Sequence, residues 1–318
     1  MTPTFGMTSP VPARLLHQAG ATLSQVKGAA QPGEDSDIQL DDVVGLIVGF
    51  QTIDRALLER APQLRVVAKH GSGVDNIDIA AATDSGVVVT NAPGCNSMAV
   101  AEFTLGVMLA VGRRIPYQDA GVRGGQWAIH VGVELAGAVL GIIGMGRVGR
   151  LVAARARAFD MRVVYTDSAP IADLGDLDAE CEFRELPALL EESDFVTIHA
   201  PLMPSTTHLI NADALQRMKP TAFLVNAARG EIVDEEALEE ALASGWIAGA
   251  ALDVFSQEPL RRGDLIAQRE RTVLTPHTAG YTTQSLAATS ILTAENVVDA
   301  LQGRWPRNAL NQPAAWPR

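Results

Sequence analysis

The chain has 318 residues, of which 47% are apolar and 19% charged, a composition typical of a folded globular protein rather than a disordered one. This length exceeds that of one average domain, so we expect two domains. The formal net charge of −12 repels polyanions, which argues against nucleic acid and anionic membrane surfaces as partners.

Cysteine usage and hydropathy bear on the cellular compartment. The two cysteines, Cys95 and Cys181, are too few for a disulfide framework and favour a reducing compartment, so we expect the cytoplasm. The first twenty residues contain one arginine and no long apolar core, unlike a signal peptide. The most apolar helical stretch, FTLGVMLAVG, is about ten residues long and too short to span a bilayer.

Short apolar runs alternate with helical patterns along the whole chain, which predicts an α/β fold with parallel sheets. In the first hundred residues, strands are predicted at 45–50, 65–71 and 86–92, with short helices between them. A long amphipathic helix is then predicted from Ser97 to about Arg114. Pro116 and the glycines that follow it predict the end of this helix and a loop.

A second series of strands and helices starts at Val139 and contains six predicted strands. These strands are VLGIIGMG, MRVVYTD, FVTIHAP, AFLVNAARG, IAGAALDVF and TVLTPH. One more long helix follows Thr282, and a proline-rich tail follows that helix. Six strands suffice for a dinucleotide-binding domain. We therefore expect that domain at residues 98–284 and a smaller, substrate-binding domain at residues 1–97 and 285–318.

Residues 140–150, LGIIGMGRVGR, contain glycines spaced as G-x-G-x-x-G between a predicted strand and a predicted helix. Alone, this spacing is a weak signal that also fits a plain strand–helix turn. In this context Gly144 permits the tight turn, Gly146 lets a pyrophosphate approach the backbone, and Gly149 lets the helix pack close to the strand. We therefore expect the loop to bind a dinucleotide.

An acidic residue, Asp167, ends the next predicted strand, 23 positions after Gly144. A carboxylate at that place accepts hydrogen bonds from ribose hydroxyls and repels a 2′-phosphate. No arginine follows in the next loop to receive such a phosphate. An acid at this position therefore favours NAD over NADP. The alternative is that Asp167 is only a solvated turn residue.

Three chemically different side chains, Arg229, Glu258 and His277, follow three later strands at the sheet edge where ligands bind. The guanidinium can hold the carboxylate of a 2-keto acid and polarise its C2 carbonyl. The imidazole can exchange a proton with the carbonyl oxygen near neutral pH, and a neighbouring carboxylate would orient the ring and favour its protonated form. With the hydride of a nicotinamide, this set predicts interconversion of a 2-keto acid and a 2-hydroxy acid.

Each of these side chains also has a structural explanation when it is taken alone. Arg229 could cap a helix, Glu258 could be a loop carboxylate, and His277 could be a turn residue. Asp253 lies in an apolar strand and needs a partner if it is buried, which could be the nicotinamide carboxamide or the backbone. His199 lies at another strand end, where a packing role is favoured over a role beside the cofactor.

Several segments between residues 45 and 300 resemble the signatures of the D-isomer-specific 2-hydroxyacid dehydrogenases. The segments are KHGSGVDNID, NAPGCNSMAVAE, LGIIGMGRVG, NAARGEIVDEEAL, AALDVFSQEP and LTPHTAGYT. The resemblance implies two doubly wound parallel-sheet domains, with a Rossmann NAD-binding domain inserted into a smaller flavodoxin-like substrate domain. It also implies an arginine–glutamate–histidine catalytic set, and a homodimer in which the segment near 100–135 crosses to the partner.

The same resemblance implies further binding residues. The substrate carboxylate would meet backbone amides in a GSG segment after a strand, where glycine leaves amides free to form an anion-binding nest. The substrate-binding residues implied are Ser72, Gly73, Val74, Asn96 and Arg229. On the cofactor side, the residues implied beyond the glycines and Asp167 are Arg147, Val148, Ala200, Ala227, Arg229, Asp253 and His277.

The chain departs from the phosphoglycerate dehydrogenases of this family, which tend to carry basic residues at three places. Here those places read Gly49-Phe50, Lys69-His70 and WAIH near 127, so only Lys69 keeps a firm positive charge. A phosphate dianion requires more than one cation, so 3-phosphoglycerate is disfavoured and a smaller or differently charged 2-hydroxy acid remains open. Lys69 fits a solvated strand-end lysine equally well.

Two other functions on the same scaffold compete with this prediction. The first is another enzyme, a formate or phosphite dehydrogenase. Formate dehydrogenases resemble the layout but have glutamine where Glu258 stands, which argues against them. An NAD(H)-sensing interaction protein, similar to the C-terminal-binding co-repressors, would have long tails or a peptide groove. Turnover distinguishes such a sensor from a dehydrogenase.

Overall fold

The computed structural model describes residues 1–24, 40–177, 180–261, 263–314 and 316. It divides the chain into two compact units, Met1–Asn96 with Tyr281–Arg318, and Ser97–Gly280. Each unit is built around a parallel sheet with helices packed against it, which confirms the predicted α/β fold class.

The helices and strands follow one another in chain order, beginning in the first unit. Its leading part contains α1 Val11–Gln18, β1 Gly45–Val48, α2 Arg55–Glu59, β2 Val66–Lys69, α3 Ile79–Asp84 and β3 Val88–Thr90. The second unit contains α4 Ser97–Gly112, α5 Ile115–Arg123, β4 Val139–Ile143, α6 Arg147–Arg157, β5 Arg162–Thr166, β6 Cys181–Phe183, α7 Leu186–Glu192, β7 Phe195–Ile198, α8 Ala212–Arg217, β8 Phe223–Asn226, α9 Glu235–Ser244, β9 Gly249–Leu252 and β10 Thr272–Leu274. The first unit then resumes with α10 Thr283–Leu301.

The sheet of the first unit has three parallel strands in the order β1-β2-β3. Both helices that connect these strands begin at an aspartate, whose carboxylate accepts an amide of the first turn and so caps the helix. Asp54 accepts from Leu57 N at 2.9 Å, and Asp78 accepts from Ala81 N at 2.8 Å. Helix α10 packs against α1 and β2, so the first and last parts of the chain share one core.

The chain after α10 covers the open edge of β3. Leu310 N donates to Val89 O at 2.8 Å, and Asn311 Oδ1 accepts from Val89 N at 2.8 Å. These bonds satisfy backbone groups that an edge strand leaves unpaired.

The sheet of the second unit has seven parallel strands in the order β10-β9-β8-β7-β4-β5-β6. The order reverses beside β4, which pairs with both β5 and β7, and ligands bind at such a switch point in open α/β sheets. The expectation of six strands was one short, because β6 has only three residues and an exposed Glu182, and so gives no apolar run.

Two expectations for the segment before β4 were wrong. Helix α4 is not amphipathic, since ten of its 16 residues are buried as it packs against α6 and against β8, β9 and β10. The loop expected at Pro116 is instead helix α5, because proline is well accommodated in the first turn of a helix. Arg114, with φ of 53°, separates the two helices.

In the described part of the chain, no helix combines the length and the apolar character needed to cross a membrane. The same residues contain no group of three or more histidines, cysteines or acids arranged to hold a metal ion.

Candidate active site

The glycine-rich loop joins β4 to α6 at the switch point of the second sheet. Gly144 has φ of +95°, and a Cβ added there would lie 2.5 Å from Ala200 N. A Cβ added at Gly149 would lie 2.2 Å from Gly144 O, so strand and helix meet too closely for any side chain. A Cβ at Gly146, by contrast, would meet no atom within 4 Å.

This open space at Gly146 lies at the N-terminus of α6. Gly146 is the N-cap residue of the helix, and no side chain caps it. The first amides of a helix carry partial positive charge and need acceptors, which a pyrophosphate supplies. The shape and the electrostatics of the loop therefore fit a dinucleotide, with Arg147, Val148 and Gly149 in the first turn.

Asp167 follows β5 and lies against the same loop. Its Oδ2 accepts from Met145 N at 2.9 Å, and its Oδ1 accepts from Ser168 N at 2.7 Å. The half-buried carboxylate thus closes the turn between Gly144 and Gly146, a role that the sequence did not predict. It also lies beside the glycine-rich loop, at the place where an acidic residue binds the ribose hydroxyls of NAD in this type of domain.

The end of β7 completes this side of the switch point. His199 N donates to Ile143 O at 2.7 Å, and its Nε2 lies 3.0 Å from Thr197 Oγ1. Burial lowers the pKa of His199 to about 3, so the ring is neutral at neutral pH. These contacts favour a packing role for His199, and they bring Ala200 against Gly144.

Glu258 and His277 are in direct contact. His277 Nδ1 donates to Glu258 Oε2 at 2.8 Å, and Glu258 Oε1 accepts from Phe255 N at 3.1 Å. The two side chains are 29% and 23% exposed, so the pair is partly shielded yet reachable by a small molecule. A carboxylate on Nδ1 fixes the orientation of the ring and directs Nε2 away from Glu258.

The turn that carries His277 is wrapped around buried Asp253. The Asp253 carboxylate accepts from Thr275 Oγ1 at 2.6 Å and from the amides of Thr278 and Ala279, both at 2.8 Å. The Asp253 carbonyl accepts from His277 N at 2.8 Å. The chain itself therefore supplies the partners that burial of this carboxylate requires. These bonds hold His277 at φ of 54°, a left-handed conformation that is costly for a residue other than glycine.

Arg229 lies on the loop after β8, which also contains Ala227. Asn226, buried at the end of β8, accepts from Ala228 N at 3.0 Å and donates from Nδ2 to Arg229 O at 2.8 Å. Sequence reasoning missed this residue, although a polar side chain that ends an apolar strand is a signal that it bonds the following loop. Since β8, β9 and β10 are adjacent and parallel, Arg229, Glu258 and His277 follow three neighbouring strand ends.

In the first unit, Ser72 lies on the loop after β2. Ser72 Oγ donates to Asn96 Oδ1 at 3.2 Å, and Asn91 Nδ2 donates to Ser72 O at 2.7 Å. Within the part of the chain that the structure describes, the amides of Ser72, Gly73 and Val74 donate no hydrogen bond. Three successive amides with this property suit a carboxylate ligand.

The two basic candidates before this loop have structural partners. Lys69 Nζ donates to Gly49 O and to Asn76 Oδ1, both at 2.6 Å. His70 lies 2.8 Å from Ser290 Oγ through Nε2, and burial together with the Lys69 charge lowers the pKa of His70 to about 4. His70 is therefore neutral at neutral pH, and the Lys69 charge is engaged within its own unit.

Comparison with known proteins gives a family match and relatives that align with most of this chain. Residues 105–279 match the family model described as D-isomer specific 2-hydroxyacid dehydrogenase, NAD binding domain. A glyoxylate reductase of Korarchaeum cryptofilum is 42% identical over 86% of this chain and 83% of its own length. A D-3-phosphoglycerate dehydrogenase of Methanocaldococcus jannaschii is 39% identical over 86% of this chain, but this covers only 53% of that protein.

A solved structure also resembles the chain over nearly its whole length. D-lactate dehydrogenase from Aquifex aeolicus, complexed with NAD and lactic acid, superposes with a TM-score of 0.83 at 27% identity. The match covers 96% of this chain and 98% of that one.

Proposed function

The chain belongs to the D-isomer-specific 2-hydroxyacid dehydrogenase family, and on that premise we propose that its substrate is a small, unphosphorylated 2-keto acid such as glyoxylate. The predicted family, the dehydrogenase class and NAD as cofactor are confirmed. The predicted alternative, an NAD(H) sensor, has no support from these relatives, which are named as enzymes.

His277 is the proposed acid and base of the reaction, and the 2.8 Å bond to Glu258 carries this proposal. When bound, the reduced nicotinamide supplies the hydride that C2 of the keto acid receives. His277 gives its proton to the carbonyl oxygen in the same step and takes a proton back from the hydroxyl in the oxidation direction. Glu258 holds the ring in place and stabilises it while it carries the proton. Arg229 binds the substrate carboxylate.

In this proposal one unit binds the substrate and the other binds NAD. Residues 1–97 and 285–318 form the substrate-binding domain, supported by the three amides of Ser72, Gly73 and Val74. Residues 98–284 form the NAD-binding domain, supported by the open cradle at the N-terminus of α6. The residues proposed to contact the cofactor are Gly144, Gly146, Arg147, Val148, Gly149, Asp167, Ala200, Ala227, Arg229, Asp253 and His277.

The charge of the substrate-side loop supports an unphosphorylated substrate. Lys69 donates to two oxygens of its own unit, and His70 is half-buried and neutral. A phosphate dianion would need additional cations there, whereas one carboxylate is served by the amides of this loop. Asn96 is bonded to Ser72 and would therefore line the substrate site beside this loop.

The direct test is NADH oxidation by the purified protein with glyoxylate, hydroxypyruvate, phosphohydroxypyruvate and larger 2-oxo acids. We expect glyoxylate or hydroxypyruvate to have the highest kcat/KM and phosphohydroxypyruvate a much lower one. Highest efficiency with phosphohydroxypyruvate would overturn the substrate assignment.

Replacing His277 by alanine tests the chemistry. We expect His277→Ala to lower kcat by about 10²–10⁴-fold, because the proton donor is lost, while the Kd for NADH stays within about twofold. His208→Ala is a matched control, since His208 is an exposed histidine with a similar φ of 51°. Equal loss of turnover and NADH binding in His277→Ala would show a structural role instead.

We also propose a cytoplasmic homodimer. The chain has only two cysteines, Cys95 and Cys181, too few for a disulfide framework, which supports a reducing compartment. Trp127, Ile129 and Val131 are 88%, 90% and 93% exposed on an irregular segment before β4. Three large apolar side chains presented together support burial against a second copy of the chain.

A further inference from the structure

The loop that carries Arg229 is packed directly on the loop after β9. A Cβ added at Gly230 would lie 2.0 Å from the carbonyl carbon of Phe255 and 2.3 Å from Ser256 N. The two backbones are therefore in contact, with no side chain between them. Because close-packed backbones transmit displacement, a shift of either loop moves the other.

A carboxylate outside the predicted catalytic set holds this contact. Glu235, the first residue of α9, accepts from Ser256 N through Oε1 at 2.5 Å. The preceding amide, Phe255 N, donates to Glu258 Oε1. Two consecutive amides of one loop are thus bound by two carboxylates, one of which is the partner of His277.

The position of Glu235 is not explained by helix capping. Helix α9 is already capped by Asp234, whose Oδ1 accepts from Ala237 N at 3.1 Å. Glu236, the next residue, adds a second acid to the first turn and is exposed to solvent. The distinguishing property of Glu235 is therefore its bond to the loop after β9.

We propose that Glu235 is a positioning residue for the active site. By holding the Ser256 amide, it fixes the loop from which Glu258 reaches His277, and it joins this loop to the one that carries Arg229. The inference rests on the proposed function, because the consequence for catalysis passes through the Glu258–His277 pair. Glu235 acts through the Ser256 amide, whereas Glu258 is the residue that bonds His277.

The structural part of the proposal has a test that needs no substrate. We expect hydrogen–deuterium exchange in a peptide covering residues 253–259 to be about tenfold faster in Glu235→Ala than in the wild type, because the Ser256 amide loses its acceptor. Glu235→Gln, which keeps an oxygen at this position, should restore most of the protection. Glu236→Ala, the matched control, should leave exchange unchanged. Equal exchange in Glu235→Ala and Glu236→Ala would overturn the proposal.

The catalytic part is tested with the substrate that the wild type turns over fastest. We expect Glu235→Ala to lower kcat about tenfold, with the Kd for NADH unchanged within about twofold, because the loop is displaced only slightly. Glu235→Gln should recover most of kcat, and Glu236→Ala should behave as the wild type. A wild type without turnover would refute the proposed function but not the structural part of this proposal, because the exchange experiment tests that part independently.

A double-mutant cycle distinguishes action through Glu258 from an independent effect. If Glu235 works by placing Glu258, adding Glu235→Ala to Glu258→Gln should lower kcat by less than about twofold. A full tenfold additional loss in that background would show that Glu235 acts elsewhere, and this result would overturn the proposal.

Discussion

Asp167 shows how one side chain serves both the loop and its proposed ligand. Its two oxygens accept from Met145 N and Ser168 N, and these bonds close the glycine turn. A carboxylate oxygen accepts more than one hydrogen bond, so ribose hydroxyls can bind to the same group. Alanine at this position would remove the charge and the loop contact together, whereas asparagine keeps an acceptor for Met145 N.

We therefore expect Asp167→Asn to change cofactor selectivity more than stability. Loss of the negative charge removes the repulsion of a 2′-phosphate, so the preference for NADH over NADPH should fall at least about tenfold. The measurement is kcat/KM for both cofactors. Asp173→Asn, at an exposed aspartate in the next loop, is the control. Unchanged selectivity in Asp167→Asn would remove this residue from the proposed ribose site.

The contact between Glu258 and His277 could be anticipated from the sequence, because the carboxyl ends of parallel strands meet at one edge of the sheet. The roles of Asn226 and Glu235 could not. Both bind backbone amides or carbonyls of loops, and the path of a loop depends on close packing such as that of Gly230 on Phe255. Sequence patterns do not reveal where two loop backbones meet.

At the scale of elements, glycines at the β4–α6 junction have two different roles, one in packing and one in ligand binding. Gly149 lies where strand and helix backbones touch, whereas Gly146 faces open space at the end of the helix. The first is required by the fold of this chain. The second is left for a ligand, because a Cβ at Gly146 would occupy the cradle and meet no protein atom.

Replacing glycine by alanine should therefore affect NADH binding at Gly146 and protein stability at Gly149. We expect Gly146→Ala to weaken NADH binding at least about tenfold with little change in Tm, because only the cradle is filled. Gly149→Ala should lower the free energy of unfolding by about 1–3 kcal/mol, because its Cβ would meet Gly144 O. Fluorescence titration with NADH and urea unfolding measure the two quantities. Equal effects on both quantities in both variants would refute this separation.

The elements that the sequence predicted best are those with long apolar runs, such as β4, β5, β7, β8 and β9. Strand β6 was missed because its stability comes from pairing with β5 rather than from its own three residues. Helix α5 was missed because Pro116 signals either the end of a helix or the start of one. Local patterns alone do not distinguish these alternatives, which depend on the tertiary neighbours.

At the scale of the whole molecule, the net charge of −12 opposes binding of an anionic substrate and an anionic cofactor. Affinity must then come from local donors that act at short range. The structure contains such groups at the loop after β2, at the N-terminus of α6 and at Arg229. The overall field and the local sites thus have opposite sign, which disfavours larger polyanions while a small carboxylate can still bind.

The exposed segment before β4 leads to a prediction about assembly. Trp127, Ile129 and Val131 stand at alternate positions of an irregular segment and are nearly fully exposed, an arrangement that is unfavourable in water unless a partner covers it. Burial of these three side chains would stabilise a dimer by several kcal/mol at about 25 cal/mol per Å² of apolar surface. We therefore expect the wild type to be a dimer at micromolar concentration.

Replacing Trp127, Ile129 and Val131 together by serine should convert this dimer into a monomer. Sedimentation velocity or light scattering after gel filtration measures the mass. The control replaces three exposed apolar residues elsewhere by serine, namely Met7, Met203 and Trp305. The control should remain dimeric because its apolar side chains come from three separate segments of the chain, before α1, after β7 and after α10. A monomeric wild type, or a serine variant that stays dimeric, would show that this segment does not form the subunit interface.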